Sequence, residues 1–327
     1  MKWWELPGLP AAPTPSEPRP SFMLDFQVGD VIAGKYEIKQ VLGAGGMGTV
    51  FRAKDTKLGR DVALKVPSEL VLSNPEVMAR FEREAKTVAR LQHENIVQVY
   101  EYLREEGKAL IAMEFVEGSD LKAFVQKPPG GVTVGDVSLI LSLACEGIAH
   151  AHEHGIVHRD IKPHNVMVAR LPRGRWRVKV MDFGIAHVDA ASQYTNMGEQ
   201  LTQTGQAIGT PSYMAPEQIR GAGVSAQSDI YSFGCVIFYV MTRRAVFEGS
   251  GLTVAVSHLN EPPPSVRASV PSLPEGFEAI VMQCLAKDPA ARPGSISDVG
   301  AALHQALAPL ADMPMGEVWK AAMRSPE

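Results

Sequence analysis

The sequence predicts an α+β chain in which a small antiparallel sheet with one helix precedes a larger, mainly helical region. Short runs of apolar and β-branched residues recur between Tyr36 and Phe115, with one stretch of helical spacing among them. From about Asp136 onward the apolar residues recur mostly at three and four positions instead of two. Between the two regimes, Glu117-Gly118-Ser119 breaks the pattern.

The chain has 327 residues, 45% hydrophobic and 21% charged, with a formal net charge of −4. This is globular composition, long enough for two domains or one large two-lobed one. The charge gives no electrostatic reason to expect a nucleic-acid or membrane partner. Cys145, Cys235 and Cys284 stand far apart among apolar neighbours, as buried thiols of a reducing compartment do. No uninterrupted run reaches the roughly 18 apolar residues of a membrane span, and a cytoplasmic protein without such a span is expected. Residues 1–25, with Pro10, Pro13, Pro15, Pro18 and Pro20 among them, are expected to form a disordered or polyproline-like tail. Trp3-Trp4 could anchor it to a partner.

Tyr36–Leu42 roughly alternates as a strand does and runs into Gly43-Ala44-Gly45-Gly46-Met47-Gly48, after which Val50–Ala53 reads as the return strand. Glycines there let backbone approach a ligand and point amides at phosphate, although a plain glycine hairpin would look the same. A strand, not a helix, follows, which argues against a dinucleotide fingerprint. Val62–Val66 is a third strand with Lys65 amid apolar residues, and a lysine so placed needs a partner. Glu84 is one candidate. It lies on a helix that Asn74 and Pro75 would start and that Val77, Phe81, Val88 and Leu91 would face inward. Ile96–Tyr100 and Leu110–Phe115 complete a five-stranded sheet.

A helix from about Asp136 to His154 opens the second region, with Gly155 as its stop. His150 and His154, four apart, could pinch a metal, but no third ligand accompanies them. Next comes His158-Arg159-Asp160-Ile161-Lys162-Pro163-His164-Asn165, between apolar segments that suit short buried strands. Asp160 could take a proton from an alcohol, Lys162 could meet a phosphate and Asn165 could ligate a hard cation. A hairpin, Val166–Ala169 and Arg177–Met181, leads to Asp182-Phe183-Gly184, and Arg175, Arg177 and Lys179 share one of its faces. Residues 186–210 are polar and threonine-rich, a long loop of the functional kind. Ala215-Pro216-Glu217, an apolar helix over Ser228–Met241 and further helical patterns reach about Leu310. Residues 311–327 promise one turn of helix at most.

In this order, these motifs resemble the protein-kinase family over roughly residues 30–305. The resemblance implies a bilobal kinase fold spanning 26–310, with an N-lobe at about 30–116, a C-lobe at 117–310 and a C-terminal tail at 311–327. It implies an ATP site of Leu42, Gly43, Gly45, Gly48, Val50, Ala63, Lys65, Met113, Glu114, Val116, Asp120 and Met167. Lys65 would hold the α- and β-phosphates and pair with Glu84. Asp160 would be the base and Lys162 the γ-phosphate contact. Asn165 and Asp182 would be ligands of Mg2+, with Mn2+ as an alternative. Glu217 and Arg292 would form a buried ion pair, and Asp229 would be structural.

Gly45-Gly46-Met47-Gly48 and Thr202-Gln203-Thr204 look like those of bacterial serine/threonine kinases. The expected partners are then protein substrates with Ser/Thr acceptors and the kinase itself, autophosphorylated at Thr202 or Thr204 with Arg159 as the phosphate's partner, in a dimer if the reaction runs in trans. Three rivals use the same fold: a catalytically dead scaffold, a binding protein that presents the proline-rich tail, and a small-molecule phosphotransferase. The complete set of Lys65, Asp160 and Asp182 speaks against the first.

Overall fold

A computed structural model describes residues 26–45, 48–105, 108–183 and 211–324. The proline-rich tail, Trp3-Trp4, Gly184, Thr202, Thr204 and Thr210 lie outside these residues. The chain divides into two compact units, one taking the chain to His93 together with Val97–Glu117, the other Glu94–Ile96 and everything from Gly118 on.

The first unit is a six-stranded antiparallel sheet in the order β1-β2-β3-β4-β6-β5, with one main helix. Its strands are β1 (Val31–Ile32), β2 (Tyr36–Gly45), β3 (Gly48–Asp55), β4 (Arg60–Pro67), β5 (Val99–Glu105) and β6 (Lys108–Glu114). Alternate residues of these strands, including Tyr36, Ile38, Phe51, Ala53, Val62, Leu64, Leu110 and Ala112, form one buried layer, as the two-residue period of a half-buried strand requires. The short helix α1 (Glu69–Leu72) precedes α2 (Pro75–Val88). Asn74 caps α2 by accepting the amides of Glu76 and Val77, and Pro75 fills the first position. Met78, Phe81, Ala85 and Val88 are buried, so Met78 takes the inward place expected of Val77.

Two elements differ from the sequence reading. Strand β1 was not expected, because two residues carry no period. Strand β5 starts at Val99 and not at Ile96, since Asn95–Ile96 belong to the second unit. The Val180 amide donates to the Asn95 carbonyl at 2.7 Å, and Asn95 Nδ2 donates to the Val178 carbonyl at 3.0 Å.

The second unit holds a three-stranded sheet, β7 (Ser119–Asp120), β8 (Val166–Arg170) and β9 (Trp176–Val180). Its helices are α3 (Leu121–Gln126), α4 (Val134–Glu153), α5 (Pro216–Arg220), α6 (Ala226–Thr242), α7 (Gly251–Asn260), α8 (Val266–Ser269), α9 (Glu275–Cys284), α10 (Ile296–Leu307) and α11 (Met315–Arg324). Thr133 and Asp136 form a reciprocal capping box at the start of α4. By length and composition α4 could cross a membrane, yet 56% of its most apolar stretch is buried inside the protein. Helix α6 is buried along nearly its whole length, and Gly234, where a Cβ would lie 2.8 Å from Cys284 Cβ, lets α9 approach it closely.

The C-terminal stretch is more than the single turn expected. Helix α11 spans ten residues and buries Met315, Val318, Trp319 and Ala322, the spacing of one helical face. Trp319 Nε1 donates to the Val240 carbonyl at 2.8 Å, and the Arg243 guanidinium stacks 4.3 Å from the Trp319 ring. Upstream, Ala311 and Met313 carbonyls accept from Gly135 and Val134. Residues 311–324 are thus part of the second unit's core. Trp319→Ala is expected to cost about 3–5 kcal/mol, and Trp319→Phe, which deletes only the N–H bond and some contact, about 1 kcal/mol. Denaturant midpoints check this, and a cost below about 1 kcal/mol for the alanine variant would show α11 to be dispensable.

Candidate active site

In the first unit the sheet register assembles the predicted residues. Gly43 faces Val50 and Gly45 faces Gly48 across β2–β3, Val50 faces Lys65 across β3–β4, and Ala63 faces Met113 across β4–β6. A register shift between Val41 and Gly43 makes Leu42 an extra residue, leaving Val41 exposed and Leu42 buried, as a bulge re-aims side chains. Gly48 has φ +139° and a Cβ there would lie 2.1 Å from the Val66 carbonyl oxygen, so the fold itself demands glycine. Gly43 and Gly45 are different: a Cβ on either would meet nothing within 4 Å. Among the described residues, packing does not call for glycine at these two, which leaves their backbone open to a ligand. Lys65 is half-buried on β4. Glu84 lies on α2 as expected. Glu114 ends β6, its amide donating to the Gln98 carbonyl at 2.8 Å, and Val116 is buried just beyond.

In the second unit Asp120 and Met167 are register partners across β7–β8. Asp120 also caps α3, its Oδ1 accepting the Ala123 amide at 2.7 Å. The 158–165 loop is held from behind by Asp229, which is 1% exposed. Asp229 accepts the His158 amide at 2.7 Å, the Arg159 amide at 2.9 Å and His152 Nε2 at 2.8 Å. Arg159 sits at φ +69°, the curled backbone that turns successive amides toward one anion. In front, Lys162 Nζ donates to Asp160 Oδ2 at 2.6 Å. Asn165 Nδ2 donates to the Asp160 carbonyl at 2.8 Å and to its Oδ2 at 3.1 Å. Base, cation and amide therefore converge as the motif's spacing suggested.

Asp182 is brought to the same loop. The Met181 amide donates to the Asn165 carbonyl at 2.9 Å, His158 Nε2 meets the Met181 carbonyl at 3.0 Å, and the His158 and Phe183 rings lie 4.6 Å apart. Asp182 itself has φ +60°. Burial pulls the His158 imidazole below its usual range. The neutral ring then donates from Nε2 to Met181, and Nδ1 is left to accept the Asp160 amide at 3.3 Å.

The protein kinase domain family matches residues 36–306. The chain belongs to the protein kinase family. Its relatives are bacterial serine/threonine kinases. The serine/threonine-protein kinase pkn3 of Myxococcus xanthus is 39% identical over 83% of this chain and 50% of its own length. PrkC of Bacillus subtilis is 38% identical over 85% of this chain and 41% of its own length. Thus the chain spans about half the length, or less, of these curated relatives. The crystal structure of the Mycobacterium tuberculosis PknI kinase domain is similar at a TM-score of 0.67 and 28% identity, covering 86% of this chain and 99% of that one.

Supporting groups of this kinase domain include one pair expected from sequence and others that were not. Glu217 and Arg292 form the expected buried pair, at 2.7 and 2.9 Å, and Ser228 donates to Glu217 at 2.7 Å. Burial alone would raise the Glu217 carboxyl, but the Arg292 and Ser228 bonds hold it below its ordinary value. The next residue, Gln218, was missed. Its Nε2 donates to the Arg159 carbonyl at 2.9 Å and its Oε1 accepts the Ala215 amide at 3.0 Å, tying the Ala215-Pro216-Glu217 segment to the catalytic loop. His152 has no local pattern to mark it, because its partner Asp229 lies 77 residues away. His154 Nδ1 meets the His150 carbonyl at 2.8 Å, and among the described residues no three His, Cys, Asp or Glu converge on a metal site.

His258 is a further buried group, its Nδ1 2.8 Å from the Tyr231 hydroxyl, with Phe247 against its ring and Lys287 Nζ on its carbonyl at 2.9 Å. Burial and Lys287 lower it to about 4. A histidine depressed in the folded state binds fewer protons there than in the unfolded chain. The stability it contributes is therefore full above the unfolded pKa near 6.5 and is lost as pH falls toward 4. Between pH 7.5 and pH 5 the kinase should lose about 2 kcal/mol from this residue, in addition to a loss of the same sign from His158. Urea midpoints of the wild type and His258→Gln across that range check it, since the variant should show a clearly shallower slope.

Proposed function

We propose that this domain transfers the γ-phosphoryl group of ATP to serine and threonine hydroxyls of proteins. The observation that carries the reading is the Asp160 carboxylate, bound by Lys162 and Asn165 on a loop clamped by Asp229. Phosphoryl transfer depends mainly on alignment and charge neutralisation. Asp160 accepts the proton of the acceptor hydroxyl as its oxygen bonds to the γ-phosphorus, while the bond from that phosphorus to the β-bridging oxygen breaks and ADP leaves. Lys162 meets the γ-phosphate and Lys65 the α- and β-phosphates.

Asn165 and Asp182 fit Mg2+, because Asn165 spends its amide nitrogen on Asp160 and offers a hard oxygen, as Asp182 does. Bound there, Mg2+ would neutralise charge on the phosphates. Gly43 and Gly45, free of steric need, support a phosphate-covering role for their loop. The Pro211–Tyr213 segment, next to Ala215-Pro216-Glu217, supports a peptide acceptor over a small molecule. The three cysteines are free and buried, which accords with a cytoplasmic domain.

Radiolabelled ATP with a generic protein substrate tests the reading, with phosphoserine and phosphothreonine expected. Lys65→Met, Asp160→Asn and Asp182→Asn should each reduce transfer by at least about a hundredfold, with melting temperatures near the wild type's. Retained turnover in Asp160→Asn would remove the base assignment.

The kinase is further proposed to switch itself on through Thr202 or Thr204, with Arg159, directly before the base, as the phosphate's partner. A phosphate adds about −1.5 to −2 charge and three acceptor oxygens, suited to charge-assisted bonds with a guanidinium. Mass spectrometry of wild type and Asp160→Asn, each expressed alone, should find the phosphate only in the wild type. Equal phosphate in both would assign it to another kinase, and full activity of Thr202→Ala/Thr204→Ala would dismiss the switch.

A further inference from the structure

The turn between β8 and β9 carries Arg170, Arg173, Arg175 and Arg177, all exposed, on a chain whose net charge is −4. The turn is rigidly built. Leu171 N donates to the Arg175 carbonyl at 2.7 Å and closes it. The buried Trp176 anchors it, with Nε1 donating to Asp136 Oδ1 at 2.7 Å and its ring edge-on to Phe124 at 5.5 Å. The Arg170 guanidinium lies 5.5 Å from the Trp176 ring and donates to the Gly130 carbonyl at 2.8 Å. Lys179, expected on the same basic face, is tied down to the Ile96 carbonyl.

Arg173, Arg175 and Arg177 are used differently. Among the described residues none of the three has an ion-pair or hydrogen-bond partner for its side chain, while Asp136 is committed to Trp176. Arg173 moreover sits at φ +66°, a conformation that glycine or asparagine would adopt more easily. The fold therefore gains little from arginine at these places, and gathering three like charges costs repulsion.

We propose that this turn docks an acidic, extended peptide segment of the kinase's protein substrates, a reading that rests on the protein-kinase activity proposed above. The occupant follows from spacing and charge. Arg175 is extended and Arg177 lies on β9, so these guanidinium stems share a face at about 6.6–6.8 Å. An extended peptide repeats its same-face carboxylates at that interval, and the planar guanidinium forks pair with carboxylates two bonds at a time. A bilayer would favour large exposed apolar side chains beside the cations, but Leu171 is half-buried and Trp176 is buried, so the turn's exposed apolar surface is the small ring of Pro172.

Fluorescence anisotropy with a labelled peptide of alternating glutamate and alanine tests the docking directly. The wild type should bind it, more weakly as salt shrinks the Debye length below about 8 Å. Arg173→Gln/Arg175→Gln/Arg177→Gln should bind at least about tenfold more weakly, whereas the corresponding triple lysine variant should keep most of the affinity. In the kinase assay, the same acidic sequence carrying an acceptor serine should show a raised KM and unchanged kcat with the glutamine variant. A neutral acceptor peptide should show no change. Equal peptide affinity in wild type and glutamine variant overturns the proposal. So does a glutamine variant equally impaired on the neutral peptide, or a wild type that binds phosphatidylserine vesicles and not the peptide. If neither acceptor peptide is phosphorylated, the kinase reading fails, while the anisotropy result still decides the docking.

Discussion

The buried carboxylate of Asp229 is the constraint on which the second unit's chemistry depends. An ionised group out of water must be fully bonded, and Asp229 meets that demand with the amides of His158 and Arg159 and with His152. The demand runs in both directions. Two consecutive amides can reach one carboxylate only if the chain curls, which is the physical reason Arg159 holds φ +69°. That curl sets where Asp160 leaves the backbone, and so where Lys162 and Asn165 must meet it. Replacing the carboxylate would orphan amides at about 1–3 kcal/mol each and would release the loop's geometry along with them.

Asp229 is itself placed by α6, whose first turn serves two anchors at once. Ser228 donates to Glu217 while its neighbour Asp229 holds the catalytic loop. Glu217 in turn is gripped by Arg292, which also donates to the carbonyls of Ala286, Gln227 and Lys287. A buried ion pair need not add net stability, since desolvation offsets much of the attraction. Here its value is geometric, because Gln218, next to Glu217, carries the position of the Ala215-Pro216-Glu217 segment to the Arg159 carbonyl. The Ala215-Pro216-Glu217 segment and the 158–165 loop are thereby referenced to one helix.

The residues proposed to carry the chemistry stand out in the sequence, and so does the division into a sheet-rich and a helical unit. Asp160, Lys162, Asn165 and Asp182 are polar residues among apolar strands, a contrast that periodicity exposes. Asn74-Pro75 declared the start of α2 because capping is a local interaction. What was not legible depends on partners distant in sequence. Gln218 and His152 matter through Arg159 and Asp229, about 59 and 77 residues away, and no local pattern marks them. Ile96 looked like the start of a strand because it opens the run to Tyr100, yet Asn95 before it bonds β9 through both its carbonyl and its side chain. Helix α11 was different: Met315, Val318, Trp319 and Ala322 do show helical spacing, but a ten-residue segment near a chain end carries a weak signal until Trp319 is seen bonded to Val240.

Two aspartates, one on the 158–165 loop and one bonded to it from behind, show how environment divides roles. Asp229 is 1% exposed and its oxygens are occupied by backbone amides and an imidazole, groups that hold it in place. Asp160 keeps 31% of its side chain exposed and meets an ammonium and an amide. A carboxylate so placed can receive an incoming hydroxyl while its neighbours keep it oriented. His158, neutral by burial and wedged between the Asp160 amide and the Met181 carbonyl, couples this carboxylate to the strand end that carries Asp182 without adding a charge of its own. The fold can thus fix the Asp160 carboxylate, the proposed base, and the Asp182 carboxylate, the proposed metal ligand, through the backbone on either side of one uncharged ring.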